Sequence, residues 1–296
     1  MSQTTAGLPK LGFIGIGLMG LPMSKRLLAA HYDVMVFNRN RAKCEPLSAL
    51  GAHVADTLAD IALHSDIIML CVSNTAAVED VVAQLRGHLR AGQIIVDFSS
   101  IAPDATQALA QAVREQGAKW VDSPVSGGVA GAEAGTLAIM AGGDGMDVDT
   151  VRPVLAHLGQ RVTHMGPNGS GQTTKICNQM IVSCNVLVMA EVMAMAKKAG
   201  VDASQIPEAL KGGFADSIPL QLTGSRMAVQ DFDEVKWHVK TLLKDLDMAN
   251  TLAQQTGSAV PMAGLGAELM RQHGSKGNLE RDPATLVTLY ENPQEQ

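Results

Sequence analysis

Lys175, Asn178 and Gln179 stand at i, i+3 and i+4 in the stretch 172–199, which is rich in Met, Ala, Val and Leu and contains no Gly or Pro. Residues at those spacings share one face of a helix. An ammonium in so apolar a helix must be paired or lose its proton. A Lys/Asn/Gln face is thus a candidate for moving a proton to or from a bound oxygen. The bland alternative, a solvated lysine in the first turns of a helix, weakens once Asn178 is counted with it.

Two further stretches offer chemistry. Leu11–Gly20 reads LGFIGIGLMG, with Gly15-x-Gly17-x-x-Gly20 after a short apolar run and before a run that continues as a helix. In that context the pattern is a dinucleotide fingerprint. Gly15 turns the chain off the strand, Gly17 leaves the backbone open to a pyrophosphate, and Gly20 lets helix and strand pack closely. The helix N-terminus then presents N–H groups to the phosphates. In the second stretch, residues 122–143 read DSPVSGGVAGAEAGTLAIMAGG. Ser126, Gly127 and Gly128 supply a hydroxyl and backbone N–H groups suited to a carboxylate. Pro124 and the glycines disfavour a regular element in the first half of this stretch, and a plain structural loop is the competing reading.

Which dinucleotide binds depends on the end of the second strand. An acid about 20 residues past the glycines selects NAD through the ribose 2′-OH. Here the chain reads Phe37-Asn38-Arg39-Asn40-Arg41, without an acid. Asn38 suits a ribose hydroxyl and Arg39 a 2′-phosphate, which favours NADP and leaves NAD open. Alternatively, Arg39 and Arg41 are surface charges at a helix start.

The elements that carry these residues follow from hydrophobic periodicity. Strands are expected at Leu11–Ile14, Val34–Phe37, Ile67–Val72 and Ile94–Asp97, with shorter ones at Trp120–Val121, Leu137–Ala141 and Arg161–His164. Helices are expected at Pro22–Ala30, Arg41–Leu50, Ala76–Leu85, Pro103–Gln116 and Asp147–Leu158. This alternation implies an α/β fold, a Rossmann-type doubly wound, mostly parallel sheet, with ligands at the carboxyl ends of its strands. After Gly166-Pro-Asn-Gly-Ser-Gly171, a turn that sets a helix start, the pattern becomes all-helical. A long linking helix over about 171–199 is apolar on most sides, hence expected to be buried between partners. Ala203–Leu210, Gln221–Ala228, Val235–Gln255 and Met262–His273 follow. The expected domains are 1–165, binding the dinucleotide, and 166–296, an all-α unit for substrate and oligomerisation, ending in a frayed tail at Asn292–Gln296.

Composition narrows the class. The chain has 296 residues, 46% hydrophobic but only 3% aromatic, so its core rests on aliphatic side chains and sixteen Met. A net charge of −6 without a basic cluster argues against a nucleic-acid partner. Four scattered cysteines without CxxC point to reduced thiols and a cytoplasmic setting, and eight scattered His without a ligand pattern indicate no metal. No signal core stands at the N-terminus, and no apolar run is expected to span a membrane. The apolar long helix predicts a homodimer or homotetramer.

Taken in order, GFIGIGLMGLPM (12–23), DFSSIAP (97–103), DSPVSGGVAGAEAGTLAIMAGG (122–143), GSGQTTKICNQ (169–179) and KDLDMA (244–249) resemble the β-hydroxyacid dehydrogenases, the group of 3-hydroxyisobutyrate dehydrogenase and tartronate semialdehyde reductase. The resemblance runs from Leu11 to about Tyr290. It implies reversible hydride transfer between a nicotinamide and a 3-hydroxy acid or its semialdehyde. It makes Lys175 the general acid/base, with Asn178 positioning it and the substrate. Ser126, Gly127 and Gly128 would hold the substrate carboxylate. Ser99 and Ile101 would lie near the cofactor, and Lys244 and Asp245 near its nicotinamide end. Leu18, Met19, Cys71, Val72, Asn74 and Val78 would complete the cofactor groove. Phe98 and Ala102 depart from the residues relatives often carry, and Gln179 stands where a second Asn is common. Phe214, Asp216 and Ser217, in GGFADS, are candidates for the far end of the substrate, and would suit a hydroxylated one. A helix-breaking turn explains them equally well. Other readings are a same-fold enzyme acting on a sugar acid or an imine, and a non-catalytic dinucleotide-binding scaffold. An intact Lys175/Asn178 pair argues against the scaffold.

Overall fold

A computed structural model describes residues 7–291, so the expected frayed tail and the first six residues lie outside the described chain. The strands are β1 (Leu11–Ile14), β2 (Val34–Phe37), β3 (His53–Val54), β4 (Ile67–Leu70), β5 (Ile94–Asp97), β6 (Lys119–Asp122), β7 (Val125–Ser126), β8 (Ala138–Gly142) and β9 (Arg161–Gly166). The helices between them are α1 (Gly20–Ala29), α2 (Glu45–Ser48), α3 (Leu58–His64), α4 (Thr75–Leu85), α5 (Pro103–Arg114), α6 (Gly128–Ala134) and α7 (Gly145–Leu155). Then come α8 (Ser170–Lys198), α9 (Ile206–Leu210), α10 (Ser225–Val229), α11 (Val239–Thr256) and α12 (Pro261–His273). Contacts divide the chain into two compact units, one ending at Lys175 and the other beginning at Ile176. The division falls inside α8, past the expected 165/166, because the first turn of that helix is hydrogen-bonded to the end of β6 and to the segment after β5.

In the first unit the sheet order is β3-β2-β1-β4-β5-β6-β8-β7, with β9 beside β8. From β3 to β6 all neighbours are parallel, whereas β8 runs antiparallel to β6 and β7. Strands β1, β4 and β5 are buried throughout, which is why they read as continuous apolar runs. One core, with Phe13, Leu27 and Val36, packs on one face of the sheet. Another, with Ile14, Ile61, Leu70, Val82 and Ile95, packs on the other. Helix starts are set locally. Thr57 and Asp60 form a capping box on α3, and the Asn74 and Asp144 side chains cap α4 and α7.

Several elements depart from expectation. The hairpin-like β7 and helix α6 form inside 122–143, where glycines were expected to prevent regular structure. Gly127 (φ +136°) and Gly128 (φ +62°) turn the chain into α6 instead. The expected helix 41–50 is a 3₁₀ turn, Arg41–Cys44, followed by the single-turn α2. The short elements β3 and α3 are additions.

The second unit is helical. Val186, Met193, Leu242, Leu246, Met270 and Leu286 build its core. Helix α11 starts at Val239 rather than Val235, because Lys236 donates its N–H to the Asp282 carboxylate (2.8 Å) and Val239 its own to the Arg281 carbonyl (3.0 Å). Helix α8 is long and apolar enough to cross a membrane by length and composition, with a mean hydropathy of 1.6 in its most apolar window, contrary to expectation. Core packing accounts for that composition, since Val186, Ala190 and Met193 are buried in the second unit. Nor is α8 buried all round: Ile181, Val188 and Met195 are 65%, 45% and 66% exposed.

Candidate active site

The glycine-rich loop follows β1 directly. Gly15 has φ +99°, and a Cβ there would lie 2.2 Å from the Cys71 carbonyl oxygen. At Gly20 a Cβ would meet the Gly15 carbonyl oxygen at 2.0 Å, whereas at Gly17 nothing stands within 4 Å. The outer two glycines are therefore packed and the middle one is open, the shape a pyrophosphate needs at the start of α1. This loop fits a dinucleotide. Leu18 is 80% exposed and Met19 half-buried beside it.

Asn38 ties this loop to the end of β2: its Oδ1 accepts the Ile16 N–H (3.0 Å) and its Nδ2 donates to the Asn40 carbonyl (2.9 Å). The two arginines separate. Arg41 is bound to the Asp56 carboxylate (2.5 Å) and the Ala55 carbonyl (3.2 Å). Arg39 is exposed and makes no hydrogen bond or ion pair among the described residues.

The carboxyl ends of β4, β5 and β6 meet in a buried polar network. Ser99 Oγ accepts the Val72 N–H (3.0 Å), and Asp97 accepts the Ser99 N–H (2.9 Å). Burial pushes the Asp97 carboxyl up to about 7, and the nearby Asp122 carboxyl adds to the shift. Burial and the Asp97 charge push the Cys71 thiol up to about 12, so that cysteine is inert. Asn74 Oδ1 accepts the Ala77 N–H (2.9 Å) as the cap of α4, and Val78 is wholly buried in the core, with no surface to offer a ligand.

Asp122, at the end of β6, does what the sequence did not announce. Its Oδ1 accepts the Gly169 N–H (2.9 Å) and its Oδ2 the Gln172 N–H (3.1 Å), so it caps the start of α8. Burial raises its pKa, against the lowering by these N–H groups. Gly142 and Gly171 fit around it, since a Cβ on either would lie 2.6 or 2.8 Å from Oδ2. The turn at 166–169, with Gly166 and Gly169 at positive φ, delivers the chain to this cap. Lys175, half-buried, follows on the next turn. In the same unit, Ser126 is half-buried at the end of β7, and Gly127 and Gly128 are exposed. The first N–H groups of α6 have no intrahelical acceptor there.

One turn further along α8, in the second unit, Asn178 donates to Gln179 Oε1 (2.8 Å), and Gln179 Nε2 donates to the buried Asp245 carboxylate. Lys244 Nζ lies 3.3 Å from that carboxylate. The structure thus brings Asn178, Lys244 and Asp245 into one polar chain through Gln179, the third member of the polar face expected on this helix. The GGFADS candidates are placed otherwise. Asp216 accepts the Gly212 N–H (2.7 Å) and a Gln221 side-chain N–H (2.7 Å), and Ser217 Oγ accepts the Leu220 N–H (3.1 Å). These groups serve their own loop, as the turn reading holds, and Phe214 is fully exposed.

Comparison with known proteins gives the family. The family described as the NAD-binding domain of 6-phosphogluconate dehydrogenase matches residues 10–166. The family described as NAD-binding of NADP-dependent 3-hydroxyisobutyrate dehydrogenase matches residues 169–290. The chain is 38% identical to 2-hydroxy-3-oxopropionate reductase of Escherichia coli K12 over 285 residues, covering 95% of this chain and 97% of the relative. It is 30% identical to mitochondrial 3-hydroxyisobutyrate dehydrogenase of Drosophila melanogaster, covering 97% and 91%. The structure of a Mycobacterium tuberculosis 3-hydroxyisobutyrate dehydrogenase with L-serine shares the fold, with a TM-score of 0.88 at 24% identity over 97% of this chain and 100% of that one. The glycine loop, the capped helix bearing Lys175 and these matches lead to one conclusion: the chain belongs to the β-hydroxyacid dehydrogenase family of NAD(P)-dependent oxidoreductases.

Proposed function

We propose that the protein is an NADP-preferring dehydrogenase of a 3-hydroxy acid, working reversibly on the corresponding semialdehyde, with Lys175 as general acid/base. The observation that carries this reading is the Asp122 cap, which fixes the helix bearing Lys175 in the same compact unit as the glycine loop and Ser126. Ser126 and the N–H groups at Gly127–Gly128 hold the substrate carboxylate, so that its reacting carbon is oriented. A bound nicotinamide supplies the hydride acceptor or donor. Lys175 takes the hydroxyl proton during oxidation and returns one to the new alkoxide during reduction. Asn178 positions the lysine and the substrate oxygen from the next turn. The likeness to 2-hydroxy-3-oxopropionate reductase favours a hydroxylated substrate such as tartronate semialdehyde.

The test is reduced-nicotinamide absorbance with tartronate semialdehyde, glycerate and 3-hydroxyisobutyrate, each offered NADP(H) and NAD(H). Turnover is expected, fastest with the tartronate semialdehyde pair. Absence of turnover across the panel sinks the reading. The cofactor preference rests on Arg39, whose guanidinium is uncommitted. Arg39→Ala is expected to raise KM for NADPH about tenfold, the loss of a charge-assisted phosphate contact, while KM for NADH stays put. An equal rise for both cofactors would remove Arg39 from the 2′-phosphate.

Assembly is part of the proposal. Ile181, Val188 and Met195 repeat every seven residues and so form one exposed apolar stripe on α8. A second copy of the chain is the occupant proposed for it, giving a dimer or tetramer. Light scattering should show an oligomer at micromolar protein, and Val188→Asp should shift it toward monomer. A wild-type monomer under those conditions would end this part of the reading. Four unpaired thiols support the cytoplasmic setting.

A further inference from the structure

We propose that Gln172 is a positioning residue for the reaction at Lys175, locking the helix that carries the lysine to the cofactor side of the sheet. This rests on the functional reading above. Gln172 is 1% exposed, yet both ends of its amide are used far along the chain. Its Nε2 donates to the Ser99 carbonyl (2.7 Å) and its Oε1 accepts the Ile101 N–H (3.2 Å). Its own backbone N–H is the one that Asp122 Oδ2 accepts (3.1 Å). Lys175 is three residues on, the next position on the same helix face.

The lock continues to the glycine loop without a break. Ser99 Oγ accepts the Val72 N–H, and the Cys71 carbonyl before it is the atom that leaves Gly15 no room for a Cβ. From Gly15 to the first turn of α8, then, each segment is hydrogen-bonded to or packed on the next. Asp122 alone fixes where the helix begins. Gln172 adds a second anchor on a different strand end, so the helix cannot pivot about its cap. Reacting atoms misplaced by about 1 Å cost on the order of a hundredfold in rate, so an anchor of this kind acts on kcat.

The experiment compares wild type, Gln172→Met and Gln172→Glu. Methionine keeps the volume but leaves the Ser99 carbonyl and the Ile101 N–H unpaired. Glutamate in its neutral form replaces both bonds, with its hydroxyl donating to Ser99 and its carbonyl accepting from Ile101. Ionised, it has no proton to donate to the Ser99 carbonyl, and the Asp122 carboxylate already holds its own backbone N–H. Gln172→Met is expected to lower kcat about 10- to 100-fold, with substrate KM nearly unchanged. Gln172→Glu is expected to approach wild-type kcat at the acid end and to lose it through one added ionisation as pH rises. That recovery also shows that the variant folds. A wild-type kcat in Gln172→Met, or a wild-type pH profile in Gln172→Glu, overturns the proposal. Hydrogen exchange over residues 99–101 and 172–175 reads the lock without turnover: exchange rising in both segments of Gln172→Met supports it, and unchanged exchange overturns it. Should wild type turn over no substrate, the functional reading fails while the exchange result still decides whether the lock exists.

Discussion

Lys175→Ala should lower kcat by about 10²- to 10⁴-fold, the usual contribution of a positioned acid or base, while NADPH still binds. In the reductive direction hydride adds to the carbonyl carbon, the π pair moves onto oxygen, and an alkoxide forms that must be protonated. In the proposed reaction Lys175 would supply that proton, from a helix whose start is fixed by a buried carboxylate. Alanine leaves the cap in place, because Asp122 accepts there from the backbone N–H groups of Gly169 and Gln172. The loss should therefore appear in kcat, with the dissociation constant for NADPH, read by its fluorescence, within about twofold of wild type; a tenfold change would correspond to ~1.4 kcal/mol. A Lys175→Ala protein retaining wild-type kcat would assign the acid/base role elsewhere.

Two alanines in the glycine loop should fail in opposite ways. Gly17→Ala should fold as wild type does, since a Cβ there meets nothing within 4 Å. Its methyl stands where the pyrophosphate must approach the backbone, so dinucleotide affinity should fall about tenfold or more, at least ~1.4 kcal/mol. Gly20→Ala places a methyl 2.0 Å from the Gly15 carbonyl oxygen. Helix α1 must then lift from β1, an overpacking cost of about 1–3 kcal/mol, which should lower Tm by several degrees. Thermal melts and NADPH titrations of both variants separate the effects. Equal stability of the two would show that the loop relaxes around either methyl, and undiminished affinity in Gly17→Ala would remove this loop from the pyrophosphate.

Much of this protein was legible in its sequence because two signals are local. Buried parallel strands must be apolar on both faces, so Leu11–Ile14 and Ile94–Asp97 were located to the residue. A dinucleotide loop needs glycine at particular spacings for reasons of backbone conformation and close approach, and these too are written in sequence. The Lys175/Asn178 spacing was legible because helical period alone puts both on one face.

What tertiary structure decided depends on partners distant in the chain. Asp122 looks like any acid at a strand end until Gly169 and Gln172, nearly fifty residues later, present their N–H groups to it. Gln172 reads as a neutral helix residue until Ser99 and Ile101 bond its amide. The same holds for the arginines: Asp56 takes Arg41 and leaves Arg39, a choice set by the packing of β3 and its flanks beside β2. Asp216 and Ser217 have the composition of a substrate pocket, and only the structure shows that both also hydrogen-bond within their own loop. Periodicity and backbone geometry are properties of a segment, and so the sequence determined the long elements, the glycine loop and the lysine's helix. Which polar group satisfies which other is settled only when folding removes water and every buried donor must find its acceptor.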